Sequence, residues 1–116
     1  MLSRICGMKP IRVYGVDGVK RIAAFIPRGH LHIRLLIELE DQVVVLQEAV
    51  AAAITRAFLN VLLHPSRRAS ELVLTEVDAR KPGYARFQLI ESSRRDEDLV
   101  DEYTRMLEFN LRSSRE

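Results

Sequence analysis

The stretch 31–39 constrains the fold most, because its apolar and polar side chains alternate with a period of two. The apolar positions are Leu31, Ile33, Leu35, Ile37 and Leu39. Such alternation is typical of a β-strand with one face against a core and the other toward solvent. A second extended run, residues 20–26, precedes it, and Pro27-Arg28-Gly29-His30 between them supplies turn chemistry. The sequence therefore predicts a β-hairpin.

The segment after this hairpin has the composition of a long helix. Residues 42–63 carry apolar side chains at helical spacing, with Asp41 in front as a candidate N-cap and Pro65 just beyond as a stop. The apolar positions form more than one stripe and reach around the helix, since few polar residues interrupt them. A helix of this kind is usually covered on more than one side.

The second half repeats the order hairpin then helix. Residues 71–77 and 84–91 read as strands joined by a loop at 78–83, and a helix follows from Ser92 or Ser93 to about residue 111. These elements predict an α+β fold, a two-layer sandwich of order ββαββα, with a mainly antiparallel sheet and two helices packed on one face.

Length and composition predict a domain at 9–112, a disordered leader at 1–8 and a frayed tail at 113–116. The chain has 116 residues, 47% apolar and 29% charged, which is ordinary for a globular domain. Its one cysteine, Cys6, cannot form an intramolecular disulfide, so we expect a cytoplasmic protein. No apolar run approaches about 18 residues, so no membrane span is predicted. Scarce Asn and Gln are typical of thermophilic proteins.

The excess of apolar residues on the first helix predicts a protein interface, because a small sheet cannot cover so wide a surface. The leading hypothesis is therefore a non-enzymatic interaction module. Its partner is either a second copy of the chain, in a homodimer, or another protein in a larger assembly. The residues assigned to this interface are Val44, Ala49, Ala52, Ala53, Phe58 and Leu62.

Basic residues in the strands and loops provide an alternative hypothesis, binding of RNA or DNA. Arginine forks suit phosphate, and an aromatic ring on an open sheet face can stack on a base. The residues assigned to this alternative are Arg34, Arg67, Arg68, Tyr84 and Arg86. The net charge of +2 and the low aromatic content of 6% favour solvated arginines in local ion pairs instead.

Signals for an enzyme or a metal site are confined to scattered side chains. His30 and His32 share one face of a strand, but no third ligand is close in sequence. Carboxylates around Glu38 and Glu48 are explained by capping and solvation. The sequence therefore assigns no catalytic residue, no metal ligand and no cofactor.

One segment resembles a known family. Residues 31–63, a strand ending in Glu-Leu-Glu-Asp and leading into a long apolar helix, are similar to the strand–helix portion of the small dimerising subunit of the KEOPS tRNA-modification complex. The resemblance covers less than a third of the chain, and the second hairpin departs from that family's element order. It implies no functional residue here.

Overall fold

The computed structural model describes residues 9–78 and 85–115, with side chains up to residue 109. The predicted leader, most of the predicted loop at 78–83 and Tyr84 lie outside these ranges. A 3-10 turn at Val16–Gly18 precedes the first strand. The regular elements are β1 (Val19–Phe25), β2 (Arg34–Leu39), β3 (Val43–Gln47), α1 (Glu48–Leu62), β4 (Leu72–Glu76), β5 (Phe87–Glu91) and α2 (Asp96–Arg115).

The first three strands form one antiparallel sheet in the order β1-β2-β3. The turn between β1 and β2 has the predicted chemistry: Gly29 has φ 82°, a conformation that glycine adopts without strain, and His30 N donates to Pro27 O at 3.0 Å. A register shift between Val19 and Arg21 marks a bulge in β1. The register of β3 against β2 is continuous.

Strand β3 replaces what the sequence predicted to be the first turn and a half of helix 42–63. Three consecutive β-branched residues, Val43 to Val45, favour a strand over a helix because their χ1 freedom is restricted. Leu39 N donates to Gln42 O at 2.8 Å, which closes a two-residue turn of Glu40 and Asp41. The prediction that Asp41 caps a helix is wrong, since its carboxylate accepts from the Tyr14 hydroxyl at 2.8 Å.

Helix α1 packs against one face of the three-stranded sheet, where it contacts β2 and β3. Val44 and Leu46 are half-buried, whereas Val43 and Val45 on the opposite face are exposed by 57% and 53%. Because side chains alternate along a strand, α1 therefore lies on the face of Val44 and Leu46. Ala53 of α1 is only 3% exposed.

The second hairpin, β4 with β5, forms a separate antiparallel sheet. The α+β class and the ββαββα order are confirmed, with β3 as an additional strand and two sheets in place of one. The second hairpin lies beside α1, where Arg56 Nη2 donates to Leu89 O at 3.2 Å, instead of extending the first sheet. Helix α2 runs to Arg115, beyond the predicted end. In the ranges described, neither helix is long and apolar enough to span a membrane.

Candidate interaction surfaces

The face of the three-stranded sheet away from α1 is open. Cross-strand pairing places its residues in rows, of which the central one is Ala23, Leu36 and Val45. Phe25 and Val43 lie in the flanking rows and are exposed. The Arg21–Glu38 ion pair, with Nε and Oε1 2.6 Å apart, closes one end of the face. The result is an apolar strip bordered by charge, which we call the open sheet face.

Helix α1 carries a second exposed apolar surface. Ile54, Phe58 and Leu62 follow one another at intervals of four residues, so they lie on one side of the helix. Phe58 and Leu62 are each 62% exposed, and Leu59 and Leu63 widen the surface. Ala53, on the opposite side, is buried. We call Ile54, Phe58 and Leu62 the helix stripe.

Buried apolar residues are few by comparison. Within the residues described, Ala53 and Leu99 are the only apolar residues classed as buried. Large exposed apolar side chains occur on β1, β3, β4, β5 and both helices, and Leu74 of β4 reaches 71%. A soluble monomer does not normally leave its largest apolar residues so open to water.

A polar network centred on Arg67 joins the loop after α1 to β5 and α2. Arg67 Nε donates to Asp96 Oδ2 at 3.0 Å, and its Nη2 donates to Glu91 Oε2 at 3.0 Å. The same Nη2 donates to Ala69 O at 2.8 Å. Ser70 also donates to Glu91 Oε2, at 2.9 Å. One arginine therefore ties three segments of the second half together.

The Arg67 network shifts the pKa values of its carboxylates. The Arg67 side-chain hydrogen bond, reinforced by the backbone N–H groups of Arg68 and Ala69, lowers the pKa of Asp96. Hydrogen bonds from Arg67 and then Ser70 lower the pKa of Glu91. Both carboxylates raise the pKa of Arg67. All three groups are thus held in their charged forms, as a structural ion-pair network requires.

A second polar contact fixes helix α2 against the start of β4. The Tyr103 hydroxyl donates to Glu71 Oε2, and Arg94 Nη1 lies 3.4 Å from the same carboxylate oxygen. The hydrogen bond from Tyr103 lowers the pKa of Glu71. The same bond to Glu71, with burial, raises the pKa of Tyr103 to about 12. The contact therefore stabilises the neutral phenol and the charged carboxylate together.

The structure separates the residues that the sequence assigned to the protein interface. Phe58 and Leu62 belong to the helix stripe. Ala49 and Ala52 are exposed and line a groove between α1 and β5. Val44 lies on β3, on the face toward α1, and Ala53 is buried inside the chain, so neither belongs to a free helix surface. The sequence did not predict the open sheet face. The signal for it is the run Val43 to Val45, because three consecutive β-branched residues favour a strand.

The arginines assigned to nucleic acid do not converge. Arg34 lies on the first sheet and donates from Nη1 to His32 O at 3.3 Å, whereas Arg86 precedes β5 and bonds to Glu76 Oε1 at 2.9 Å. The Arg67 guanidinium is engaged by Asp96, Glu91 and Ala69 as above. Arg68 is exposed, and Tyr84 lies outside the described ranges. The nucleic-acid hypothesis remains a prediction.

The histidines and carboxylates do not form a metal centre in the part of the chain that is described, where no group of three candidate ligands comes together. His32 Nδ1 lies 2.9 Å from Glu48 Oε2, and Ile33 N donates to the same oxygen at 3.2 Å. Glu48, in the first turn of α1, thereby fixes the segment that leads into β2.

Comparison with known proteins found no matching family model, no matching curated protein and no matching solved structure.

Proposed function

We propose that this chain is a non-enzymatic protein-interaction module that works as a homodimer or as a small subunit of a larger assembly. The observation that carries the proposal is the helix stripe: Ile54, Phe58 and Leu62 form an apolar surface in which each side chain is more than half exposed. Removing such side chains from water contributes about 25 cal/mol per Å² of apolar area buried. Burial of the helix stripe against a partner is therefore strongly favoured.

The polar groups support this proposal over an enzyme. Arg67, Glu91 and Asp96 satisfy one another, and Glu71 is engaged by Tyr103 and Arg94. A catalytic group needs a side chain aimed at a substrate within a cleft. The polar groups of these two networks bond instead to other parts of the chain, which gives them the role of fixing the shape of the second half.

The same contacts favour protein over nucleic acid as the partner. A phosphate-binding surface needs several free cations on one side of the molecule. Arg21, Arg67 and Arg86 each pair with a carboxylate within 3.0 Å. Binding of mixed-sequence RNA or DNA at low salt, lost steeply as the salt concentration rises, would favour the nucleic-acid hypothesis over a protein partner.

The test of the proposal uses one charge placed at two positions. Phe58→Glu introduces a carboxylate into the helix stripe, and Thr104→Glu introduces it at an exposed polar position of α2. Sedimentation velocity over a hundredfold concentration range should show self-association of the original chain and of Thr104→Glu. The self-association of Phe58→Glu should be weaker by at least about tenfold, because burying a charge in the interface is costly.

Two results would contradict the proposal. One is an original chain that stays monomeric at every concentration and fails to bind an apolar dye, which would mean that the stripe is not available to a partner. The other is equal weakening by Phe58→Glu and Thr104→Glu. Far-UV circular dichroism of both variants checks that each remains folded.

A further inference from the structure

The two edges of the three-stranded sheet differ in chemistry. The β1 edge carries Lys20 and Arg21 and a bulge at this point, which are the features that stop an edge strand from pairing with another chain. The β3 edge has none of them. Its five residues, Val-Val-Val-Leu-Gln, include no charged side chain and no proline, and their register against β2 is unbroken.

The direction of the backbone groups on β3 follows from the turn that precedes it. Leu39 and Gln42 are hydrogen-bonded across the turn, Leu39 N to Gln42 O at 2.8 Å. In an antiparallel ladder, hydrogen-bonded and non-hydrogen-bonded pairs alternate. Val44 and Leu46 therefore bond to β2, whereas the N–H and C=O groups of Val43 and Val45 point away from the sheet. Among the described strands, none pairs with this edge.

We propose that a second copy of the chain pairs with β3, antiparallel and centred on Val45, so that two three-stranded sheets become one sheet of six strands. This inference rests on the proposed self-association and adds a backbone seam at β3 to the side-chain contact proposed for the helix stripe, both within one dimer. The strand is complementary to itself: Val45 faces Val45 of the second copy, and Val43 faces Gln47. About six backbone hydrogen bonds form across such a two-fold seam.

The side chains along this edge agree with a second copy as the occupant. Val43 and Val45 are exposed by 57% and 53%. None of the five residues of β3 is charged, so two copies of the strand meet without like charges facing each other. Pairing at β3 also joins the two open sheet faces into one, with Val43 and Val45 at its centre.

The test separates the backbone of Val45 from its side chain. Val45→Pro removes an N–H group that points outward and leaves the bonds between β3 and β2 in place, a substitution that edge strands tolerate. Val45→Thr keeps the N–H group and a β-branched side chain of similar size. Light scattering should show a dimer for the original chain and for Val45→Thr, and at least tenfold weaker dimerisation for Val45→Pro.

A cross-link provides a second measurement that does not depend on how well the proline variant folds. Facing residues of a hydrogen-bonded antiparallel pair have Cα atoms about 5.5 Å apart, within the range that a disulfide spans. In a Cys6→Ser background, Val45→Cys should give a covalent dimer under mild oxidation, and Lys20→Cys on the β1 edge should not.

The outcomes separate this inference from the proposed function. A dimer that persists unchanged in Val45→Pro, with no cross-link through Val45→Cys, overturns the β3 seam and leaves self-association through another surface. A monomeric original chain that forms no Val45→Cys cross-link overturns both the seam and the homodimer.

Discussion

Arg67 donates from Nε to Asp96 Oδ2 at 3.0 Å and so connects the loop after α1 to the first turn of α2, 29 residues later in the chain. The backbone N–H groups of Arg68 and Ala69 donate to the same carboxylate oxygen. Glu91, at the end of β5, accepts from the other branch of the guanidinium. One planar, forked cation thus bonds to three segments of the second half.

Replacing Arg67 by Lys should destabilise the fold, since an ammonium group cannot reach Asp96, Glu91 and Ala69 O in one geometry. We expect the thermal midpoint to fall by about 5 °C. The matched control is Arg68→Lys, because the Arg68 side chain is exposed and the network uses only its backbone N–H. Differential scanning calorimetry of the two variants provides the comparison. Equal midpoints would show that the Arg67 fork contributes nothing to stability.

Acid should weaken the same network. The pKa values of Asp96 and Glu91 in the folded chain lie below their ordinary values of 3.8 and 4.5. Their contribution to stability is therefore complete above those ordinary values and is lost as pH falls through the lowered ones. The thermal midpoint should be insensitive to these groups from pH 7 to about pH 5 and should decrease below about pH 4.5.

The variant Asp96→Asn isolates one part of this acid dependence. It should unfold at a lower temperature than the original chain at pH 7, and its midpoint should decrease less between pH 5 and pH 3, because it has lost a titrating group. Parallel curves for the two proteins over that range would contradict the assignment to Asp96.

Tyr103 should ionise late in an alkaline titration. Its pKa of about 12, against an ordinary value of 10.0, results chiefly from the hydrogen bond to Glu71. Because the folded pKa is raised, this contact contributes stability that is complete below pH 10 and is lost as pH rises through about 12. Absorbance at about 295 nm should contain a component near pH 12 that is absent from Tyr103→Phe. Persistence of that component in the variant would contradict the prediction.

The sequence predicted the α+β class because period-two and helical patterns are local properties. Strands β4 and β5 and helix α2 formed near their predicted positions. The predicted start of the first helix, residue 42, lies six residues before its observed start at Glu48, since Glu40-Asp41 lacks the Asn-Gly or Asp-Gly signature of a tight hairpin turn. The whole apolar run that follows therefore has the pattern of one helix, although its first residues, Val43 to Val45, favour a strand.

The exposed apolar surfaces could be predicted only in part. An excess of apolar residues on 42–63 indicated an interface, and Phe58 and Leu62 are indeed exposed, but the burial of Ala53 depends on which side of the helix meets the sheet. The engagement of Arg67 depends on partners 24 and 29 residues away. Tertiary packing decides both, and no local pattern contains that information.

The measurement that tests the central claim most directly is the mass of the nuclease-treated chain by size-exclusion chromatography with multi-angle light scattering, at low and at high salt. Burial of apolar surface does not weaken with salt, whereas electrostatic association does. The account predicts twice the chain mass of 13.3 kDa at both salts. A monomer at both salts, or a monomer that retains nucleic acid until salt removes it, would contradict self-association through the apolar surfaces.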